Sequence, residues 1–376
     1  MERYYFDHNA TTPVSAEVLE AMLPVMTEVY GNASSIHYFG QSARQKLDES
    51  RAQVAALLGA KPDEIVFTSG GTEADNLALF GIAQFGHAIT TTIEHSAVLS
   101  AADQLVSVTR VPVDGRGIVD PGDIRKALRP DTKIISVMHA NNELGVIQPI
   151  EEIAKIAHEA GVAMHSDGVQ ATGKIAVNVE QLGVDLYSMS GHKIYAPKGT
   201  GALYARKGLK LAPMMFGGHH ERDRRAGTEN VPGAVGLGRA AQWILESGAE
   251  EWAREAALRD RLEQGVLDRV PDAHVNGAGA RRTPNTTNLR FDGIDSDALL
   301  IALDLKGFAV SSGSACSSGA TEPSHVLTAI GLTKDQARSS LRFSLGRSNT
   351  IEQVDALMIA VAECVAHLRK LAPAYA

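Results

Sequence analysis

The sequence has few cysteines, no long apolar run and no excess of basic residues, and each shortage excludes a class of protein. Two cysteines in 376 residues cannot form a disulfide framework, so a reducing cytoplasm is the expected location. No apolar run approaches the roughly 20 residues that a membrane span needs, and residues 1–7 lack the apolar core of a secretory signal. A net charge of -8 argues against a nucleic-acid partner, because surfaces that bind nucleic acids are normally basic.

Common metal and nucleotide motifs are missing as well. The sequence contains no CxxC pair and no HExxH segment, so no intrinsic metal site is expected. The adjacent His219 and His220 suggest a metal, but loop histidines are the favoured interpretation. The glycine-containing segment 69–72 matches neither GxGxxG nor GxxxxGK[ST], which disfavours dinucleotides and ATP.

What the sequence does contain is an alternation of apolar strands and amphipathic helices, which predicts an α/β fold with a mostly parallel sheet covered by helices on both faces. The predicted strands cover residues 64–68, 88–94, 132–140, 162–166, 185–188 and 201–205. The predicted helices cover residues 15–29, 41–58, 150–160 and 234–270, the last broken near Gly248.

Farther along the chain the pattern changes to shorter elements. Strands are predicted at 286–291, 309–312 and 340–344, and a final helix at 351–371. We therefore expect a large α/β domain over residues 15–250. Residues 1–14 and 251–376 are expected to form a smaller α+β domain.

Polar side chains follow the predicted strands at their carboxyl ends, where open parallel sheets bind ligands. They are His95, Asn141, Asn142, Asp167 and Gln170. The first strand runs into Gly70, Gly71 and Thr72, and a helix is predicted to open at Glu73 with Thr72 as its cap. A strand, a glycine turn and a helix N-terminus can together bind a phosphate. An ordinary strand–helix turn that happens to contain glycines is the alternative.

Lys193 ends a stretch of small and polar residues, 188–193, rather than lying among other charges. Small neighbours leave room beside the amine for a flat group, and a desolvated lysine loses its proton and becomes nucleophilic. Lys193 is therefore a candidate for a Schiff base with a carbonyl cofactor, although the stretch taken alone is more typical of a loop lysine.

Pyridoxal 5'-phosphate requires a lysine, a carboxylate at its pyridine nitrogen and an anion site for its phosphate. Lys193, Asp167 and the turn at Gly71 and Thr72 match these needs in type and position. His95 could stack on the ring, and Gln170 could donate to its phenolic oxygen. Each residue alone is ambiguous. Asp167, for example, could simply form a buried hydrogen-bonded pair with the neighbouring His165. All five residues at strand ends of one sheet are, however, hard to obtain by chance.

Seven motifs resemble those of one family over nearly the whole chain. They are residues 7–12, 31–35, 68–73, 140–145, 165–170, 190–193 and 311–319. In these motifs the chain resembles the cysteine desulfurases of the NifS/IscS group, which are pyridoxal-phosphate enzymes of the class V aminotransferase family. The resemblance implies the type I fold of pyridoxal-phosphate transferases, a homodimer, and conversion of L-cysteine to L-alanine with a persulfide left on Cys316.

The resemblance also implies a role for each matching residue. The cofactor-binding residues would be Gly71, Thr72, His95, Asn142, Asp167, Gln170, Ser190, His192, Lys193 and, from the partner subunit, Thr228. The catalytic residues would be Cys316, Lys193 as the internal aldimine lysine, and His95 as acid and base. Asn142 and Arg342 would bind the substrate, with the Arg342 guanidinium on its carboxylate.

Cys316 lies in a segment, 311–320, that is rich in serine and glycine. Buried structural cysteines usually have apolar neighbours, so this sulfur is expected on an exposed, flexible loop that meets the substrate and then a partner. The implied partner is a sulfur acceptor or iron–sulfur scaffold protein, toward which the persulfide could be a transient iron–sulfur ligand. Cys364, on the last predicted helix, is interpreted as a small apolar residue.

Three alternatives stay open at this point. A selenocysteine lyase can share every cofactor residue, and a class V aminotransferase has no use for Cys316. A sulfur-relay protein without turnover is the third, against which the intact Lys193 and Asp167 argue. The sequence does not indicate whether the sulfur acceptor serves nitrogenase, general iron–sulfur assembly or tRNA thiolation. It also does not indicate which group activates Cys316.

Overall fold

A seven-stranded sheet positions most of the chain. The computed structural model describes residues 2–312 and 323–371. Its strands are β1 (Tyr4–Tyr5), β2 (Ile65–Thr68), β3 (His87–Thr91), β4 (Ser107–Val111), β5 (Thr132–Ser136), β6 (Ala163–Asp167), β7 (Leu186–Ser190), β8 (Gly201–Ala205), β9 (Ala273–Val275), β10 (Thr286–Phe291), β11 (Phe308–Ala309) and β12 (Ser340–Ser344).

The helices connect these strands and cover the sheets. They are α1 (Ala16–Thr27), α2 (Tyr38–Leu58), α3 (Gly71–Ala83), α4 (Ser96–Ala102), α5 (Pro121–Ala127), α6 (Ile150–Glu159), α7 (Val179–Leu182), α8 (Val231–Arg269), α9 (Ser296–Leu305), α10 (His325–Ala329), α11 (Lys334–Arg338) and α12 (Ile351–Leu371). Within the described residues, no helix is both long enough and apolar enough to span a bilayer.

The large sheet has the strand order β2-β8-β7-β6-β5-β3-β4. Strand β8 runs antiparallel to both of its neighbours, and the remaining pairs are parallel. The predicted α/β fold with a mostly parallel sheet is confirmed. Because the parallel strands share a direction, the residues that follow them meet at one edge of the sheet.

A second, smaller sheet has the order β12-β10-β9, and β1 pairs in parallel with β11. Apolar residues of this region form a core of their own, which includes Phe6, Phe291 and Phe343. The two-domain division drawn from the sequence stays a prediction, and the presence of a separate core supports it.

Helix α8 runs through 39 residues without interruption, so the predicted break near Gly248 is wrong. A glycine inside a helix costs about 1 kcal/mol relative to alanine, and packing offsets that cost in α8. A Cβ at Gly248 would lie 3.0 Å from Cζ2 of Trp252, so the glycine makes room for the indole. The Trp252 Nε1–H then donates to the Gly173 carbonyl at 2.7 Å, which ties the helix to the turn after β6.

Candidate active site

A cavity of about 350 Å³ lies at the carboxyl ends of the parallel strands. It brings together all the predicted site residues except two: its lining includes Gly71, Thr72, His95, Asn142, Asp167, Gln170, Ser190, His192, Lys193 and Arg342. Cys316 lies outside the described residues, and Thr228 lines a different cavity, of about 260 Å³. The structure places these residues together in one cavity, as their positions after the strands predict. Their individual roles stay predictions.

The end of the cavity that is predicted to bind phosphate is formed by the N-terminus of α3. The helix begins at Gly71 with Gly70 as its N-cap, so the predicted start at Glu73 and the predicted capping by Thr72 are wrong. The Glu73 carboxylate accepts the Ser69 N–H at 2.8 Å, which lets the helix begin earlier. The free N–H groups of the first turn and the helix dipole favour an anion at this position.

Glycine is required at position 71 by close packing. A Cβ on Gly71 would lie 2.7 Å from Cγ2 of Val169 and 3.5 Å from Cβ of Ser190. His192 lies beside this end, with its Nδ1 3.1 Å from the Thr11 hydroxyl. Burial and the nearby Lys193 lower the pKa of His192 to about 4, so the imidazole is neutral at pH 7.

Asp167 is the last residue of β6 and is 5% exposed. Its Oδ1 accepts the Val169 N–H at 2.9 Å. Burial raises the pKa of Asp167, while the charges of His95 and Lys193 lower it. A cationic ring nitrogen beside this carboxylate would favour its charged form.

A second carboxyl group, that of Asp75, also lines this cavity, and sequence reasoning missed it. In the described part of the chain, its buried Oδ1 has no hydrogen-bond partner. Burial and the charge of Asp167 raise the pKa of Asp75 well above its usual value, which favours its neutral form. The signal in the sequence is an aspartate on the apolar face of α3, next to Ala74 and Ala78.

Lys193 follows β7 at the end of a short 3-10 turn. Its Nζ donates to the carbonyl oxygens of Asn9, at 2.6 Å, and Ala10, at 2.7 Å. The Gln170 amide donates to the same Asn9 oxygen at 3.0 Å. Asn9 thus links two predicted cofactor residues, although sequence reasoning gave it no role beyond its place in a motif.

His95 and Arg342 are both held by neighbouring groups. His95 caps α4, and its Nδ1 accepts the Ala97 N–H at 3.1 Å, which leaves Nε2 as the protonated nitrogen. Arg342 is 2% exposed and donates to Asp7 Oδ1 at 2.7 Å and to the Asn142 carbonyl at 3.0 Å. A substrate carboxylate would therefore meet a guanidinium whose orientation is already fixed.

Thr228 lies on a polar loop that is tied to the phosphate end. Arg225, three residues earlier, pairs with Glu73 in the first turn of α3 at 2.8 Å. The cavity that Thr228 lines is also bordered by Ser69 and Gly201.

The residues of the larger cavity fit pyridoxal phosphate. They comprise an amine at Lys193, a buried carboxylate at Asp167, and a helix N-terminus where Gly71 leaves no space for a side chain. The same set does not suit a nucleoside triphosphate, because it has no P-loop lysine pattern.

Comparisons with known proteins agree with this geometry. The Aminotransferase class-V family model matches residues 4–357. Cysteine desulfurase IscS of Dictyoglomus turgidum is 46% identical over 378 residues, which cover 98% of this chain and 96% of that protein. A solved NifS-like protein has a TM-score of 0.90 and 38% identity, covering 97% of this chain and 100% of that one. The structure of SspA in complex with cysteine has a TM-score of 0.81 and 35% identity, covering 91% of this chain and 98% of that one. The chain therefore belongs to the class-V aminotransferase family, which confirms the resemblance that its motifs carry.

Proposed function

We propose that this protein is a pyridoxal-phosphate-dependent cysteine desulfurase, which converts L-cysteine to L-alanine and leaves the sulfur as a persulfide on Cys316. The observation that carries the proposal is the single cavity in which Lys193, Asp167 and the N-terminus of α3 meet. The full-length similarity to a cysteine desulfurase selects the substrate among the many that this cofactor serves.

Each residue then has a chemical task. Bound pyridoxal phosphate supplies an electron sink for negative charge at the substrate Cα. Asp167 would hold the proton on the pyridine nitrogen, and Lys193 would attach the cofactor and take the Cα proton. His95 is positioned to move a proton through Nε2. The Cys316 thiolate attacks the substrate sulfur, the C–S bond breaks, and protonation of the carbon fragment yields alanine.

Release of alanine from L-cysteine by the purified protein tests this proposal. A cysteine desulfurase forms one alanine per sulfur transferred, whereas a sulfur-relay protein forms none. A selenocysteine lyase would release alanine from selenocysteine and not from cysteine. Pyruvate or an amino-group exchange in place of alanine would contradict the proposal in favour of another class-V reaction.

Asp167→Asn should bind the cofactor yet lose activity by about 100-fold or more, because a neutral amide cannot hold the pyridinium proton. Asp75→Asn is the matched comparison: the raised pKa of Asp75 favours a neutral acid, which the isosteric amide resembles, so this change should cost far less activity. Alanine release and the visible spectrum of both variants measure the difference. Equal activity of Asp167→Asn and wild type would show that Asp167 does not hold the pyridinium proton.

We also propose that the protein is a homodimer in which Thr228 completes the phosphate site of the partner subunit. Thr228 lines a cavity other than the one that holds Lys193, which supports its assignment to the partner subunit's site. Helix α1 presents a row of exposed apolar side chains, Leu19, Leu23 and Met26. Such a row on a helix face is typical of a surface that another subunit covers.

Mixed dimers test this arrangement. A dimer of one Thr228→Ala subunit and one Lys193→Ala subunit contains one site with both residues intact. We expect roughly half of the wild-type activity from this heterodimer, isolated by two affinity tags, and far less from either parent homodimer. An active monomer, or a heterodimer no better than its parents, would show that Thr228 acts within its own subunit.

The destination of the sulfur is a further part of the proposal. Turnover requires that a second protein accept the persulfide sulfur, and we propose a cytoplasmic iron–sulfur scaffold or related sulfur acceptor. The low cysteine content supports the cytoplasm. Sulfur transfer from the labelled protein to candidate acceptors encoded beside it would identify the partner.

A further inference from the structure

Lys174 is a buried lysine beside the site for which the chemistry above has no use. It lies in the turn after β6 and is 6% exposed. Its Nζ donates to the side-chain oxygen of Asn9 at 2.7 Å and to Oε1 of Gln170 in a short hydrogen bond. Burial of an ammonium group is costly, and a buried lysine is normally paired with a carboxylate. Both of these hydrogen bonds go to neutral amides, so stability alone does not account for the residue.

The hydrogen bond from Lys174 to Gln170 helps to determine where the oxygen and nitrogen ends of the Gln170 amide point. Lys174 donates to the oxygen end of the amide, and the Asn9 backbone carbonyl can only accept, so it binds the nitrogen end. The Nε2 end of Gln170 must then point away from Lys174, where one N–H reaches the Asn9 carbonyl at 3.0 Å. Since Gln170 lines the cavity, its second N–H is a donor for a ligand there.

The same lysine also fixes Asn9, which touches Lys193. Lys174 binds the Asn9 side chain, and Lys193 binds the Asn9 backbone oxygen at 2.6 Å. The other end of the Asn9 amide donates to the Asn142 carbonyl at 3.1 Å and to the Thr286 hydroxyl at 2.8 Å. The Asn285 amide donates to the same Asn9 oxygen at 3.1 Å, so loss of the Lys174 contact would remove the shorter of two hydrogen bonds and loosen an element that both Gln170 and Lys193 use.

The charged and titratable groups that face Lys174 come from several elements. They are Lys193 and His192 after β7, Arg342 on β12, His8 in the amino-terminal segment and Glu255 on α8. Burial and the positive charges of Lys193 and Arg342 lower the pKa of Lys174 well below its usual value, and Glu255 raises it. The pKa of Lys174 thus depends on opposing charges, and a substitution of any of them would change it.

We propose that Lys174 is a positioning residue, which turns the N–H end of Gln170 toward the phenolic oxygen of the cofactor and holds Asn9 against Lys193. The inference rests on the proposed binding of pyridoxal phosphate. A hydrogen bond donated to the phenolic oxygen stabilises its anionic form and so favours the unprotonated linkage between Lys193 and the cofactor. Without Lys174 the amide keeps only its hydrogen bond to the Asn9 carbonyl, so this donor is held less firmly.

The test is a pH titration of the visible absorption band of the resting holoenzyme, without substrate. Lys174→Met keeps the length of the side chain and removes the donors, and it should raise the pH midpoint of the band by about one unit. Lys155→Met, at an exposed position on α6, is the matched control and should leave the midpoint unchanged. Thermal unfolding of the apoprotein variants checks that the fold persists.

A double-mutant cycle separates positioning from charge alone. In a Gln170→Ala background, Lys174→Met should shift the midpoint no further, because the amide it acts through is gone. An unchanged midpoint in the single variant, or an equal shift in both backgrounds, would overturn the inference. If Lys174→Met cannot retain the cofactor, Lys174→Gln, which keeps a neutral donor, is measured in its place and should show a smaller shift. Wild-type protein that gains no visible band with pyridoxal phosphate would instead refute the proposed function itself.

Discussion

Replacement of Lys193 by alanine is expected to abolish the release of alanine from L-cysteine while the protein still folds. In the proposed function the lysine is both the attachment point of the cofactor and the base for the Cα proton. Loss of a general base alone typically lowers a rate by about 10² to 10⁴-fold, and loss of covalent attachment adds to that. We therefore expect at least about a 10³-fold decrease.

The fold should survive because the contacts that Lys193 loses are few and face a cavity. Its Nζ donates to the carbonyl oxygens of Asn9 and Ala10, which water can reach once the side chain is gone. The variant should still take up pyridoxal phosphate through Asp167 and the N-terminus of α3, but without the visible band of the lysine-bound form.

Lys198→Ala is the matched control, since Lys198 lies five residues farther along the same loop and is exposed. It should retain the activity and the spectrum of the wild type. The measurements are alanine release, the visible spectrum and the temperature of unfolding for both variants. Desulfuration by Lys193→Ala at the wild-type rate would mean that the cofactor is held elsewhere or is not used.

The regular elements are predicted best from the sequence where apolar runs are bounded by turn residues. The strands at 201–205, 286–291 and 340–344 and the last helix, 351–371, have the predicted bounds. The misplaced elements depend on packing that a local pattern does not contain. In the sequence, Gly248 predicts a helix break. In the structure the Trp252 indole packs against this glycine, and that contact exists only once the helix has formed.

The same distinction holds for the candidate site. Lys193, Asp167 and His95 can be grouped from the sequence, because each follows a strand and the carboxyl ends of parallel strands meet. Lys174 and Asn9 cannot, since their contact joins residues 165 positions apart. Asp75 is hidden for another reason: its raised pKa follows from burial next to Asp167, which no local pattern reports.

The second large effect is expected for Cys316→Ser, which should abolish sulfur removal and leave the cofactor site intact. Cys316 lies outside the described residues, but the residues that flank its segment contact the cavity lining. Ser311 exchanges backbone hydrogen bonds with Arg342, at 2.7 and 3.2 Å. On the other side, Ser324 donates to the Glu143 carboxylate at 2.6 Å, next to Asn142.

The segment that carries Cys316 is thus joined to the cavity lining at both ends. Cys316 follows Ser311 by five positions in the sequence, and a chain of five residues spans at most about 18 Å.

In Cys316→Ser the chemistry should stop after proton removal from the substrate. A serine hydroxyl is a far poorer nucleophile toward sulfur than a thiolate, so the C–S bond should persist and alanine release should fall by at least about 10³-fold. Cofactor binding and uptake of L-cysteine should be unchanged, because Lys193 and Asp167 are untouched. Selenocysteine, with its better leaving group, should still be cleaved slowly.

Cys364→Ala is the control that assigns the sulfur, since Cys364 is the other cysteine of the chain and is buried on α12. After a single turnover, mass spectrometry should find one added sulfur on the peptide that contains Cys316, in wild type and in Cys364→Ala alike. Cys316→Ser should carry none. Added sulfur on the Cys364 peptide, or normal alanine release by Cys316→Ser, would mean that the nucleophile is a different group. Burial raises the pKa of the Cys364 thiol, which keeps it protonated and unreactive, so the two cysteines should differ sharply in this experiment.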